Sequence, residues 1–372
     1  GSSTWEISDN SSNKSTHGCF SEASMMNQTE PTPKSPSRYR WTLQTLGLLV
    51  VVGLAVLVVT ALREGSAAQQ LWSSNRFMLS TEPGWLMSKM PYSWQTWIKY
   101  RAGDEIRFAF ENVVTIDSVQ YGSDDEFSKA DLAAVGRIQS LKSLDFSSSE
   151  ITDQDLIFLE GLDTLENLNL ERTSISDAGL VHLQGLRKLT HIQLWDTEVS
   201  DAGLRHLENL PELKSMDLSE TAISDVGLAH LKGFVKLKIL KLDATGVSDR
   251  GMASLSGLTN LEYLNLSVTE VGNQGLEYLV GNQNLKILDL SYTPISDAGM
   301  VHIGKMKQLF ELDLRGTSVS DAGLIHLQGL KNLTNLGRDQ SKITDAGFVR
   351  LQKSLPKLSD SWELLPVGPS VF

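Results

Sequence analysis

Five histidines, His182, His206, His230, His302 and His326, occupy one phase of a 24-residue spacing. Imidazoles stacked in register would form a ladder of metal ligands. Ser254 and Tyr278 interrupt the row, and neither a carboxylate nor a thiol recurs beside it in a ligand pattern, so the row reads as structural. The stretch GMVHIGKM (299–306) nearly spells a phosphate-binding loop, but no Ser or Thr follows Lys305 and its glycines fall within a helical phase. Asp124, Asp125 and Glu126 offer oxygen ligands for a cation, with a solvated acidic loop as the plainer reading. The single cysteine, Cys19, precedes all of these, which excludes an intramolecular disulfide and a thiol nucleophile in the folded part. No H-E-x-x-H, G-x-S-x-G or dinucleotide fingerprint is present, and neither a metal nor a cofactor is expected.

The elements that would position these groups emerge from a second row. Asp153 is followed at intervals of 24 by Asp177, Asp201, Asp225, Asp249, Asn273, Asp297, Asp321 and Asp345. Nine repeats therefore run over 141–355, with the pattern L-x-x-L-x-L-x-x-T-x-[IV]-[ST]-D-A-G-L-x-x-L-x-G-L, seen undiluted in LTHIQLWDTEVSDAGLRHLENL (189–210). The first part predicts a short strand, with Ile192 and Leu194 inward and His191, Gln193 and Trp195 outward. The second predicts a short helix, capped by Ser200 or Asp201, with Leu204 and Leu207 on its inner side. The glycine near its end (Gly161, Gly185, Gly233, Gly257, Gly281, Gly329) suits a left-handed cap. Thr173, Thr197, Thr221, Thr245, Thr269, Thr293 and Thr317 stand where the chain leaves each strand, a ladder of hydroxyls able to satisfy loop backbone from repeat to repeat. One repeat cannot bury its own leucines, so stacking must create the core. Nine strands about 4.8 Å apart give an inner surface on the order of 40 Å long.

This motif resembles the leucine-rich repeat family, in its ribonuclease-inhibitor-like and cysteine-containing varieties, with threonine where the latter place cysteine. The resemblance implies an α/β solenoid, curved, with short parallel strands inside, short helices outside, and partners bound on the concave face. No F-box or kinase domain accompanies it, so the ubiquitin-ligase and receptor-kinase roles of relatives do not carry over. The outward strand positions include Trp195, Ile239, Tyr263, Ile287 and Tyr292, set among Asp217, Lys241, Asp243, Asp289 and Asp313. Exposed aromatics ringed by charge have the composition of a binding hot spot, here for a protein, with a glycan as the second candidate. An enzyme is the least favoured class, because such a surface has no pocket-forming insertion to exclude water.

The repeats are flanked by other material. Residues 1–40 balance four Lys/Arg against four Asp/Glu and are rich in Ser, Thr, Asn and Pro, which predicts a solvated tail. The net charge of −12 thus belongs to the remainder and speaks against nucleic acid as a partner. Residues 41–62 carry no charge and are long enough for one transmembrane helix. Gly65-Ser66-Ala67-Ala68 keeps cleavage after it open. Lys34, Arg38 and Arg40 before the span predict a cytoplasmic N-terminus and an extracytoplasmic repeat domain. With one such helix and no cysteine-rich end caps, the chain resembles the bacterial membrane-anchored members of the family. Residues 63–112 form an aromatic juxtamembrane segment, suited to the membrane interface or to covering the end of the core. A rival function follows from it, a structural or self-associating envelope protein acting through that segment. Residues 113–140 read as a degenerate capping repeat, with Val114, Ile116, Leu132, Val135 and Ile138 in phase. Gly337 and Arg338 predict a weakened strand in the last repeat, and 356–372 a C-terminal cap.

Overall fold

Within each repeat an apolar residue recurs at about every third position, as in Leu204, Leu207, Leu210, Leu213, Met216 and Leu218, and all of these are buried. A helix with three residues per turn keeps such residues on one side. In the computed structural model most of the helical segments are accordingly 3-10 turns, such as Gly179–Leu183 and Gly251–Leu255. The structure describes residues 63–71, 77–83, 111–118 and 127–360. The expected tail (1–40), the membrane span (41–62), most of the aromatic segment, the acidic loop at 124–126 and the chain after 360 lie outside the described residues. Among the described residues, no helix is long and apolar enough to cross a membrane.

Among the described residues, one sheet of eleven strands runs in chain order. Strand β1 (Phe77–Pro83) is antiparallel to β2 (Glu111–Ser118), and every later neighbour is parallel. The later strands have three residues each: β3 (Ser143–Asp145), β4 (Asn167–Asn169), β5 (His191–Gln193), β6 (Ser215–Asp217), β7 (Ile239–Lys241), β8 (Tyr263–Asn265), β9 (Ile287–Asp289), β10 (Glu311–Asp313) and β11 (Asn335–Gly337). Their register is strictly 24, so that Leu144, Leu168, Ile192, Met216, Leu240, Leu264, Leu288, Leu312 and Leu336 are mutual partners. These central residues all point into one continuous core. Three-residue strands are far too short to be stable singly; here the stack of leucines behind them holds the sheet.

Helical residues 63–71 (α1) close the N-terminal end. Ala67, Ala68 and Leu71 are fully buried in the core, the Glu64 carboxylate accepts the Gln139 N–H at 3.2 Å and the Ser140 hydroxyl at 3.1 Å, and Arg137 donates to Gln70 at 3.2 Å. The small residues at 65–68, which read in sequence as a cleavage candidate, therefore include packing residues at a close helix approach. Helix α2 (Lys129–Val135), capped by Ser128, follows β2 and completes a first repeat-like turn.

The other end corrects the sequence reading. Strand β11 is not weakened: it pairs with β10 in full register, and an added Cβ at Gly337 would collide with the Asp313 carboxylate, so the glycine makes room for that side chain. Arg338 lies over the Phe348 ring at 4.7 Å and pairs with Asp345 and Asp360 at 2.8 and 3.0 Å, fastening the terminal helix Asp345–Ser354.

Candidate protein-binding face

The recurring polar positions of the repeat divide into joints and free groups. The aspartate of the S-D-A-G motif is a joint. Ser200, not Asp201, stands at the N-cap of its helix, and its side chain makes no capping bond. The Asp201 carboxylate instead reaches into the next repeat and accepts the Ser224 N–H at 2.7 Å and its hydroxyl at 2.5 Å. Asp153, Asp177, Asp225, Asp297 and Asp321 hold Ser176, Ser200, Ser248, Ser320 and Thr344 in the same two-point way. Asn273 reproduces it with Ser296 at 3.0 Å on both contacts. The motif's glycine gives that carboxylate its space: at Gly251, Gly275 and Gly323 a Cβ would come within 2.6 Å of the preceding repeat's aspartate oxygen. The same explanation covers GMVHIGKM, where Gly299 faces Asn273 and Gly304 faces the backbone of His326.

The threonine ladder also differs from expectation. Each hydroxyl bonds within its own repeat, donating to the carbonyl three residues back, as Thr173 to Leu170 at 2.7 Å, Thr197 to Leu194 at 2.6 Å and Thr317 to Leu314 at 2.6 Å. Thr221, Thr245, Thr269 and Thr293 do likewise. The bond closes a turn whose preceding residue has positive φ, from 52° at Asp196 to 59° at Gln340, with Gly316 the glycine of that series. Left-handed backbone thus occurs at the strand exits, whereas of the glycines expected as helix caps only Gly161 has positive φ.

On the helical side, His182 and His230 bond Glu160 and Glu208 at 2.6 and 2.5 Å, and His206 bonds Gln184. A carboxylate therefore does recur beside the row, 22 residues earlier, and orients the imidazoles. Among the described residues, no group of His, Cys, Asp and Glu could hold a metal ion.

Strict register lines up the outward residues of the sheet. One row holds Ser215, Ile239, Tyr263, Ile287 and Glu311; the next holds Asp217, Lys241, Asn265, Asp289 and Asp313; beyond lie Trp195, Ser219, Asp243, Ser267, Ser291 and Arg315. Trp195, Ile239, Lys241, Asp243 and Ile287 are partly exposed, as their row predicts. Tyr263 is not an exposed aromatic: only 2% of it is accessible, and Asp217, Asp289 and Asp313 are buried too. Strands about 4.8 Å apart press long side chains of one row together, and Tyr263 is closed in by Ile239 and Ile287. Tyr292 leaves the face altogether. It occupies a positive-φ turn, φ 56°, with its ring over Gly316 and its hydroxyl accepting from Gln340 at 3.2 Å.

The charges on this face are unequal. Between Ser215 and Arg315 the three rows carry Asp217, Asp243, Asp289, Glu311 and Asp313 against Lys241 and Arg315. Lys241 pairs with Asp217 at 2.8 Å, and Arg315 with Asp313 at 2.6 Å. The other three carboxylates have only neutral donors: Ser219 and Asn265 for Asp243, the Ser291 N–H and hydroxyl for Asp289, and Asn335 for Glu311. Burial, reinforced by Asp313 alongside, pushes Asp289 up to about 6, and burial also raises Asp243 and Glu311. Toward the N-terminal end Glu171 is raised by burial and by Asp145 and Asp217, while Arg172 lies over the Trp195 ring at 5.2 Å. Glu171, Arg172, Glu311 and Arg315 were missed in sequence, although the 24-residue offsets place Glu311 in the row of Tyr263, and Glu171 and Arg315 in that of Trp195.

The architecture can now be set beside known proteins. The leucine-rich repeat family model matches residues 137–159, 257–280 and 281–304. Similar solved structures include an internalin of Listeria monocytogenes, 19% identical over 76% of this chain and 98% of that one, TM-score 0.46. Internalin C2 of the same bacterium is 26% identical over 59% of this chain and 87% of its own, also at 0.46. A Leptospira interrogans leucine-rich repeat protein is 22% identical over 61% of this chain and 62% of its own, at 0.45. No curated protein matches the sequence. Three stretches thus match the leucine-rich repeat family model, and the repeats around them, in strict 24-residue register with each strand feeding one shared leucine core, have the build of leucine-rich repeats.

Proposed function

We propose that the chain is a non-enzymatic scaffold, anchored in a membrane by residues 41–62, that presents the sheet face of its solenoid to a protein partner outside the cytoplasm. The observation that carries this reading is the contrast on that face between partly exposed apolar side chains, Trp195, Ile239 and Ile287, and the carboxylates of Asp243, Asp289 and Glu311, raised by burial and hydrogen-bonded only by neutral donors. Groups held with perturbed ionisation cluster where a protein meets its ligand, and apolar anchors within a polar surround are what an interface core uses.

The face is tested in intact cells by placing a photo-crosslinking side chain at Ile287 or Trp195, and at Glu277 on the helical side as control. Adducts of defined mass from the two sheet positions and none from Glu277 support the reading; adducts from Glu277 alone sink it. The anchor is tested by protease shaving of cells carrying a tag at each end of the chain. Loss of the C-terminal tag with protection of the N-terminal one is expected, and the reverse would overturn the topology.

A further inference from the structure

The acidity of the chain is unevenly divided between the two edges of the solenoid. Ten six-residue stretches lead into strands, from 137–142 to 353–358 at 24-residue intervals, and together they hold thirteen Lys/Arg against four Asp/Glu. The nine eight-residue stretches that leave the strands, from 146–153 to 338–345, hold sixteen Asp/Glu against four Lys/Arg. The entry stretches form one physical edge, because their backbones are bonded repeat to repeat. The N–H groups of Thr190, Lys214, Lys238, Glu262, Lys286 and Phe310 each donate to the carbonyl 24 residues earlier, at 2.7 or 2.8 Å. Two of the four acids on this edge are already matched, Glu212 by Lys236 and Glu262 by Lys238 and Lys286, which leaves Asp163 and Glu166. Arg187, Lys188, Lys214 and Lys305 are exposed and belong to no ion pair among the described residues. Like charges on neighbouring strands repel, so an anionic counterpart would relieve this edge.

A second, independent observation is the point at which the chain joins the solenoid. Glu64, at the N-terminal end of α1, accepts the Gln139 N–H and the Ser140 hydroxyl, and residues 139 and 140 hold the phases of Arg187 and Lys188. The first turn of α1 therefore sits at the cationic edge, and Arg63 follows directly on the proposed span. Resting on the proposal that residues 41–62 anchor the chain in a membrane, we infer that the solenoid lies on its strand-entry edge against a bilayer surface rich in anionic phospholipid headgroups. A solenoid standing on its N-terminal end would bring only the first repeat to the bilayer. Lying down brings the whole cationic edge within the distance of about 10 Å over which a charged surface is felt through salt. Strand entries and exits are opposite ends of each strand, so the same posture turns the acidic edge away from the like-charged headgroups. The sheet face is then left open sideways, available to a partner.

The test uses the full chain reconstituted in nanodiscs of phosphatidylcholine, alone or with about 30% phosphatidylglycerol, and follows acetylation of surface lysines by mass spectrometry. In about 0.1 M salt, Lys214, Lys305 and Lys307 should react about fivefold more slowly in the anionic discs, with Lys342 on the acidic edge changed by less than about twofold. Salt at about 1 M should erase the difference. Arg187→Glu combined with Lys214→Glu should return Lys305 and Lys307 to their rates in pure phosphatidylcholine, with a circular dichroism melt to verify that the fold is kept. Rates indifferent to lipid charge, or Lys342 slowed as much as Lys214, overturn the inference. Slowing in pure phosphatidylcholine that grows with the number of chains per disc also overturns it, and assigns the edge to the acidic edge of a second copy. Flotation separates the posture from the anchor. A chain that floats with phosphatidylcholine vesicles in about 1 M salt but shows no effect of lipid charge is anchored without lying down, whereas one that does not float removes both readings.

Discussion

Two sets of aspartates in the same solenoid behave in opposite ways. Those of the joints, Asp153, Asp177, Asp201, Asp225, Asp297 and Asp321, lie near solvent, yet each accepts a backbone N–H and a hydroxyl from the next repeat. For Asp321 the Thr344 N–H and hydroxyl hold the carboxyl below its ordinary value, and at Asp297 the Ser320 and Gly323 donors outweigh the opposing effect of burial. Asp289 and Asp243 on the sheet face also accept two donors each, but both donors fall on Oδ1, burial is deeper, and their protons are held more tightly than in a free carboxylic acid. Where the fold's donors outweigh burial, the carboxylate belongs to a joint; where burial outweighs the donors, it is a candidate for recognition.

The comparison can be broken most severely at a joint. Replacing Gly251 by Ala places a methyl at 2.6 Å from Asp225 Oδ1 and 2.9 Å from Leu228 and should destabilise by about 2–4 kcal/mol, read as a lowered urea midpoint. Asp225→Ala removes the partner of the Ser248 N–H and hydroxyl and should lose about 1–3 kcal/mol. Asp225→Asn should lose under about 1 kcal/mol, because Asn273 already performs the same linkage. Equal losses for Ala and Asn would show that charge, not hydrogen bonding, makes the joint.

At Asp289 the sign reverses. Its folded value of about 6 lies above the unfolded 3.8, so the folded state binds the proton more tightly and this group lowers stability as pH rises through that interval. About two pH units at 1.36 kcal/mol each is roughly 3 kcal/mol at pH 8. Asp289→Asn, which retains the acceptor for Ser291, should therefore raise the melting temperature at pH 8 and leave it unchanged near pH 4. A melting curve lowered at pH 8 would return Asp289 to the ranks of the structural aspartates. The smallest effect belongs to the strand exits. Val268 is a β-branched residue at φ 56° and 55% exposed, and Val268→Gly should stabilise by about 1 kcal/mol, checked by the same melts.

Period and composition made most of the architecture legible. Leucines in phase led directly to parallel strands in 24-residue register, because a single repeat has no interior of its own. The joints were only half legible. S-D-A-G has the appearance of a helix cap when one repeat is read alone, whereas its carboxylate serves the repeat 23 residues on, a relation that local pattern does not express. The sheet face was legible by row and not by depth: Tyr263 and Ile287 occupy the same phase, but the width of their neighbours decides that one is buried and the other half-exposed. At the N-terminal end, Ala67 and Ala68 carry no periodic signal, since two small residues reveal a close approach only once the surface they approach is known.

The aspartate-to-serine joint has a consequence for how such a chain can change length. Its two halves, donor pair and acceptor, are written identically into nearly every unit, so a cut made at any one phase leaves two ends that still fit one another. Unequal exchange within the coding sequence could then remove or duplicate a whole 24-residue unit while every surviving seam keeps its partners. The face would gain or lose one strand's worth of side chains at a time, which allows its reach to be altered without redrawing the interior.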